Sequence, residues 1–132
     1  LPWPTANGRV IDHYGTKKHP DFPNLTIKND GVDIRCQKST LARAVFKGVV
    51  VSIMSLPSGK VVMIRHGDYI TVYKNLSDLY IAEGDNVETK QEIGMVYTNT
   101  TTKETMIHFE LWYTKGSAPT PKNPAIWIYK LK

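Results

Sequence analysis

Thr105-Met106-Ile107-His108-Phe109-Glu110-Leu111-Trp112 is the segment that most clearly betrays how this chain folds. With the two-residue period of a β-strand, it sets Thr105, Ile107, Phe109 and Leu111 on one face and Met106, His108, Glu110 and Trp112 on the other. The first face reads as core. The second puts an imidazole between a thioether and a carboxylate, an odd mixture for a solvated surface, and reads as the wall of a groove.

The neighbouring segments have the same character. Ile93 to Tyr97 reads as a strand, and the Thr/Asn/Lys-rich run Thr98 to Glu104 as the loop that joins it to the quoted stretch. Upstream, Leu41 to Ile53 is rich in β-branched residues with Gly48 as a bend, and Leu56-Pro57-Ser58-Gly59 turns into Val61-Val62-Met63-Ile64, a hairpin. Arg65-His66-Gly67-Asp68 is a turn into the alternating Tyr69 to Tyr73, and Asn75 to Leu79 is expected to form a short helical turn. Glu83 to Asp85 and Thr89 to Gln91 read as turns flanking Val87.

Nearer the start, Gly8 to Tyr14 reads as a short strand and Thr16 to Pro23 as a surface loop carrying His19, with His13 just before it. Leu25 to Ile27 and Val32 to Arg35 are β-type segments around Asn29-Asp30-Gly31, a turn expected to use a positive φ. The strand that buries Val32 and Ile34 presents Asp33 and Arg35 on its other face. Asp33 is therefore either an exposed carboxylate paired with a neighbouring base or a groove residue.

Many short strands separated by Gly and Pro, with no long helical period, predict an all-β antiparallel sandwich or barrel-like sheet. The 132 residues, 41% hydrophobic and 22% charged, suit one domain spanning 1–132. Within it, 1–7 is expected to be an extended lead-in fixed by Pro2 and Pro4, with Trp3 docked on the body. The Lys-, Ser- and Pro-rich tail 114–132 is expected to be irregular, with Trp127 packing it down. The chain starts at Leu1 with no signal pattern, which suggests a fragment or a mature product.

Apolar runs stop at strand length, so membrane insertion is not expected. The net charge of +5 favours anionic partners without naming one, and basic residues do not cluster with aromatics as a nucleic-acid footprint requires. The lone Cys36 excludes an internal disulfide or a multi-cysteine metal site and reads as a small buried hydrophobe.

Taken together, Gly31-Val32-Asp33, Ala44 to Val49, His66-Gly67, Tyr73 to Leu76, Glu83 to Val87, Ile93-Gly94, His108 to Glu110 and Asn123 to Trp127 resemble the lysostaphin/LytM-type zinc metallopeptidase domain. The resemblance covers nearly the whole chain and implies its short-stranded β fold. It also maps three zinc-ligand positions onto Asn29, Asp33 and His108, and two catalytic histidine positions onto Asn75 and Met106. A catalytic zinc needs three protein ligands and an open position. A neutral amide at 29 is a poor donor, and neither Asn75 nor Met106 handles a proton near neutral pH. No metal and no cofactor are therefore expected, with Asp33 and His108 as vestigial ligand positions.

Leu-Pro-Trp-Pro at the start, Asn29 to Ile34 in place of a histidine motif, and Leu111-Trp112 after His108 to Glu110 resemble the degenerate domains of EnvC-type murein hydrolase activators. That resemblance implies a non-catalytic domain of the bacterial periplasm or extracytoplasmic envelope. Its groove would bind and activate a zinc N-acetylmuramoyl-L-alanine amidase during cell separation. The expected groove comprises Asn29, Asp33, Asn75, Met106 and His108, with Arg35, His66 and Tyr73 near its rim. Two other readings are a peptidoglycan-binding module using the positive charge with Trp112, Tyr113 and Tyr73, and a residual zinc endopeptidase.

Overall fold

The computed structural model describes residues 1–131. The quoted stretch is β11 (Thr105–Tyr113), and its alternation is as expected: Ile107 and Phe109 are fully buried, while Met106, His108 and Trp112 are half-buried on the other face. Around it lie β1 (Arg9–Asp12), β4 (Gly31–Cys36), β6 (Gly48–Leu56), β7 (Gly59–His66), β8 (Tyr69–Leu79) and β9 (Asn86–Val87). These form one antiparallel sheet in the order β1-β4-β11-β8-β7-β6-β9. The short β5 (Leu41–Arg43) pairs with β10 (Glu92–Val96), and β10 in turn pairs with β8, so the sheet branches.

The core sits between these parts. Val32, Ile34, Val62, Ile64, Tyr73, Ile107 and Phe109 from the long strands pack in one cluster with Ala42, Val45, Leu76, Ile93 and Val96 from the β5, β8 and β10 side. Tyr73 and Phe109 meet edge to face at 5.3 Å, the favoured geometry for two aromatic quadrupoles. Burying each large side chain contributes about 1.5–3 kcal/mol against its exposed state, so this face fixes the strand register.

Four local expectations are corrected. The run Thr16 to Pro23 is not wholly loop, because β2 (Gly15–Lys18) pairs with β3 (Thr26–Asn29) as a separate two-stranded ribbon. Its lysines gave no apolar alternation by which to see a strand. Gly31 does not supply a positive φ, and β3 and β4 do not pair with each other. A Cβ at residue 31 would lie 2.0 Å from the Phe109 carbonyl oxygen, so glycine is needed for close approach of two backbones.

The stretch Asn75 to Leu79 forms no helical turn; it continues β8 past a bulge at Asn75, whose φ is 74°. The tail is not entirely irregular either. Its β12 (Thr120–Lys122) pairs with the end of β11, followed by a 3-10 turn at Pro124–Ile126 capped by the Asn123 side chain. The lead-in is tied down as expected, with the Trp3 indole N–H donating to the Tyr129 carbonyl and Thr5 bridging Ala42.

Candidate functional site

The even-numbered face of β11 is built by register. His108 stands opposite Asp33 on β4 and opposite Lys74 on β8, Met106 opposite Arg35, and Glu110 opposite Val72. The pleat turns all of these side chains away from the core, so the polar groups of three strands converge.

At the centre, His108 Nδ1–H donates to Asp33 Oδ1 at 2.7 Å and Nε2–H donates to Glu110 Oε2 at 2.7 Å. Burial by itself would lower the His108 pKa. The hydrogen bonds and charges of Asp33 and Glu110 outweigh it and push the imidazole up to about 9. Burial would raise Glu110, but the bonds from His108 and the Trp112 indole, with the charges of Lys74 and His108, bring it down to about 2. Trp112 Nε1–H donates to Glu110 Oε1 at 2.9 Å, and Lys74 Nζ lies 3.3 Å from Glu110 Oε2. The imidazolium is thus clamped between two carboxylates.

Asn29 is buried beside this group. Its Oδ1 accepts from the Gly31 backbone N–H at 3.0 Å, and its Nδ2 reaches Asp33 Oδ2 at 3.4 Å. Asn75 Nδ2 donates to the Met106 carbonyl at 2.5 Å, which holds β8 against β11 where the bulge disturbs their pairing. Arg35 is engaged internally, its guanidinium 2.6 Å from Glu104 on the loop before β11. Asn29, Asp33, Asn75, Met106 and His108 therefore come together as expected, with Arg35 at the margin.

His66 and Tyr73 do not join them. Tyr73 points into the core, fully buried, and its phenol oxygen accepts from the Val45 N–H and the Thr71 hydroxyl. His66 pairs across from Tyr69, on the side of Thr71. Its Nδ1–H donates to the Lys47 carbonyl at 2.8 Å and its Nε2 sits 2.7 Å from Thr71 Oγ1. Both belong to the opposite side of the sheet, because β8 turns the odd residues Tyr69, Thr71 and Tyr73 to that side, and β7 the even residues paired with them, His66, Ile64 and Val62.

Glu110, Lys74 and Glu104 were not singled out from the sequence. The alternation had put Glu110 on the same face as His108, so its signal was present; Lys74 and Glu104 reach the site only through pairings between distant strands.

A trough runs along this face. A cavity of about 540 Å³ is lined by Leu56, Val61, Lys74, Asn75, Met106 and His108, among others. A second of about 340 Å³ continues from Leu56, Val61 and Lys74 to Met54, Met63, Ile70 and Trp112. Three of the chain's four methionines, Met54, Met63 and Met106, line the two.

The zinc implied by the resemblance does not fit these residues. Among the described residues no group of three or more His, Cys, Asp and Glu side chains is arranged to hold a metal ion. The amide oxygen of Asn29 caps a turn, and both nitrogens of His108 carry protons given to carboxylates. A zinc ligand must instead offer a lone pair.

Comparison with known proteins agrees with this architecture. Over 114 residues the chain is 30% identical to the uncharacterized lipoprotein YgeR of Escherichia coli strain K12, covering 84% of this chain and 41% of that protein. It is 28% identical over 107 residues to an uncharacterized metalloprotease of Buchnera aphidicola subsp. Baizongia pistaciae, covering 77% of this chain and 28% of that one. The chain thus spans less than half the length of these two curated relatives. The structure superposes on a chain of the SpoIIQ–SpoIIIAH pore-forming complex with a TM-score of 0.79 and 25% identity, over 99% of this chain and 92% of that one. The model of peptidase family M23 matches residues 27–121, from β3 through β12, and the chain belongs to that family.

Proposed function

We propose that this M23 domain is a non-catalytic activator, which binds a zinc N-acetylmuramoyl-L-alanine amidase through the trough and switches on peptidoglycan cleavage during cell separation. The observation that carries the reading is the Asp33–His108–Glu110 clamp, which uses both imidazole nitrogens at the position where family enzymes hold metal. With no free nitrogen there and an amide at Asn29, the groove is left for contact. Flexible thioethers along its walls suit a partner's apolar side chains. The working place is the periplasmic or extracytoplasmic face of the bacterial envelope, in line with a relative described as a lipoprotein.

The test adds purified domain to the zinc amidase of the same organism and follows dye release from labelled peptidoglycan. Stimulation is expected, with loss on Met106→Trp, which fills the trough, and on charge reversal at Arg35. A wild-type domain that leaves the amidase rate unchanged overturns the reading. A domain that cleaves peptidoglycan alone in a chelator-sensitive manner returns it to the endopeptidase class.

A further inference from the structure

The sulfur atoms of the chain are unevenly placed. β6 and β7 are otherwise rich in valine and isoleucine, as strands favour, yet each carries one methionine where it faces the trough, Met54 and Met63. The third, Met106, precedes His108 on the same face of β11.

Strand register brings the three together. Met54 stands opposite Val61, Val61 opposite Lys74, and Lys74 opposite His108, a row that crosses four strands. Met63, opposite Val72, lies a step to one side of this row, and Met106 lies a step to the other. The two cavities they line share Leu56, Val61 and Lys74, so the thioethers border one continuous trough. Met54 is 39% exposed, and Met63 and Met106 are half-buried. Met95, the remaining methionine, lines neither cavity.

A thioether is an apolar group that a two-electron oxidant turns into a polar one. Leucine would fill nearly the same space and be inert to that chemistry. The single thiol does not compete: Cys36 Sγ faces the Thr105 carbonyl at 3.8 Å, and burial pushes its pKa up, away from the reactive thiolate.

We propose that the trough is a methionine-oxidation site, where a peroxide converts Met54, Met63 and Met106 to sulfoxides and so weakens the docking of an apolar partner segment. At each sulfur the peroxide O–O bond breaks, one oxygen becomes the S=O oxygen and the other leaves as water. Sulfur gives up two electrons and the peroxide takes them. The new oxygen is a hydrogen-bond acceptor that an apolar partner surface cannot satisfy, so contact then strips water from a polar group without compensation. The effect on docking rests on the activator reading above, whereas the chemistry at the three sulfurs does not.

The test treats the purified domain with hydrogen peroxide, clears the oxidant with catalase, and locates added oxygen by mass spectrometry of its peptides. Oxygen is expected on all three trough methionines, with Met54, the most exposed, leading. At fixed concentration the treated domain should stimulate the amidase roughly fivefold to tenfold less, and methionine sulfoxide reductases should restore it. The triple variant Met54→Leu, Met63→Leu, Met106→Leu, compared with its own untreated sample, should lose little on treatment. Met95→Leu should lose as much as wild type. Trough methionines that stay reduced while Met95 takes up oxygen, complete oxidation with stimulation undiminished, or a triple variant as sensitive as wild type each overturn the proposal. So does an oxidised domain that thermal melts show to be unfolded, because the damage then lies in the fold. If untreated wild type gives no stimulation, the activator reading fails by itself, and the peptide map still decides whether the oxidation site exists.

Discussion

Glu110 Oε2 lies 2.7 Å from His108 Nε2, on the opposite edge of the ring from the Asp33 carboxylate. This sets the pH behaviour of the domain. The folded imidazole is raised from 6.5 to about 9, so its stabilisation is fully present below the unfolded value and is lost as pH rises through about 9. The folded Glu110 is lowered from 4.5 to about 2, so its share is present above the unfolded value and is lost as pH falls through about 2. Both are in full force between about pH 4.5 and 6.5, where denaturant stability attributable to the pair should peak. Imidazole chemical shifts followed by NMR should show His108 titrating well above an ordinary histidine. A midpoint at or below that of free imidazole contradicts the clamp.

Removing one partner leaves the other exposed to its burial cost. Glu110→Ala takes the acceptor from both His108 and Trp112 and the counter-charge from Lys74. The expected loss is about 1.5–3 kcal/mol, the range for hydrogen bonds to charged groups. A double-mutant cycle with His108→Ala should return a coupling of about 1 kcal/mol or more, since the residues touch. Additive single losses would show that the two do not act together.

Zinc affinity should be weak and steeply pH-dependent. Metal must displace the His108 proton, so binding measured by calorimetry at pH 8.5 is expected to exceed that at pH 6.5 by roughly a hundredfold, a factor of ten for each unit below the pKa. Asn29→His adds an imidazole four residues before Asp33 and should raise zinc affinity at least about tenfold over wild type. Stoichiometric zinc retained by the wild-type domain through dialysis against chelator would sink this view of the site.

Gly31, the one glycine of the β4–β11 ladder, is predicted to resist replacement. The Phe109 carbonyl and the Glu110 side chain occupy the space of a Cβ there, at 2.0 and 2.8 Å. Backbone cannot swing away as a side chain can. Gly31→Ala should therefore cost at the upper end of about 1–3 kcal/mol and lower partner stimulation with it, by shifting Asp33 from His108. Alanine tolerated within about 0.5 kcal/mol would mean that the strands separate freely.

The alternation of β11 made the fold class and half of the site legible, because apolar and polar residues there obey a strict two-residue period. It also carried Asp33, whose neighbours Val32 and Ile34 name the buried face. What it did not carry is the phase of β8. A strict period puts Tyr73 and Asn75 on one face, and the resemblance to a Tyr-x-His motif invites the same reading. The left-handed backbone at Asn75 breaks the period, so Tyr73 enters the core while the Asn75 amide reaches Met106 on the neighbouring strand. Nothing local predicts that bulge, since it follows from how β7 pairs on the other side. The Arg35–Glu104 and Lys74–Glu110 pairs were hidden because each joins segments far apart in sequence.

Tyr73 and Asn75 therefore offer a direct test of which face does what. Burial pushes the Tyr73 phenol up to about 12, against the bonds from Thr71 and Val45, so it stays neutral throughout the physiological range. Tyr73→Phe leaves the buried Val45 N–H without its acceptor and should cost about 1–3 kcal/mol of stability. Because the phenol lies on the far side of the sheet, amidase stimulation at a temperature where both proteins are folded should be unchanged. Asn75→Ala should do the reverse in proportion: it removes the bond to Met106 in the trough wall and puts a left-handed φ on a residue that does not favour it, so stimulation falls. Asn75→Gly, which tolerates that φ, isolates the lost amide from the strain. If Tyr73→Phe abolishes stimulation while keeping its fold, the partner reaches the core-side residues and the trough is not its seat.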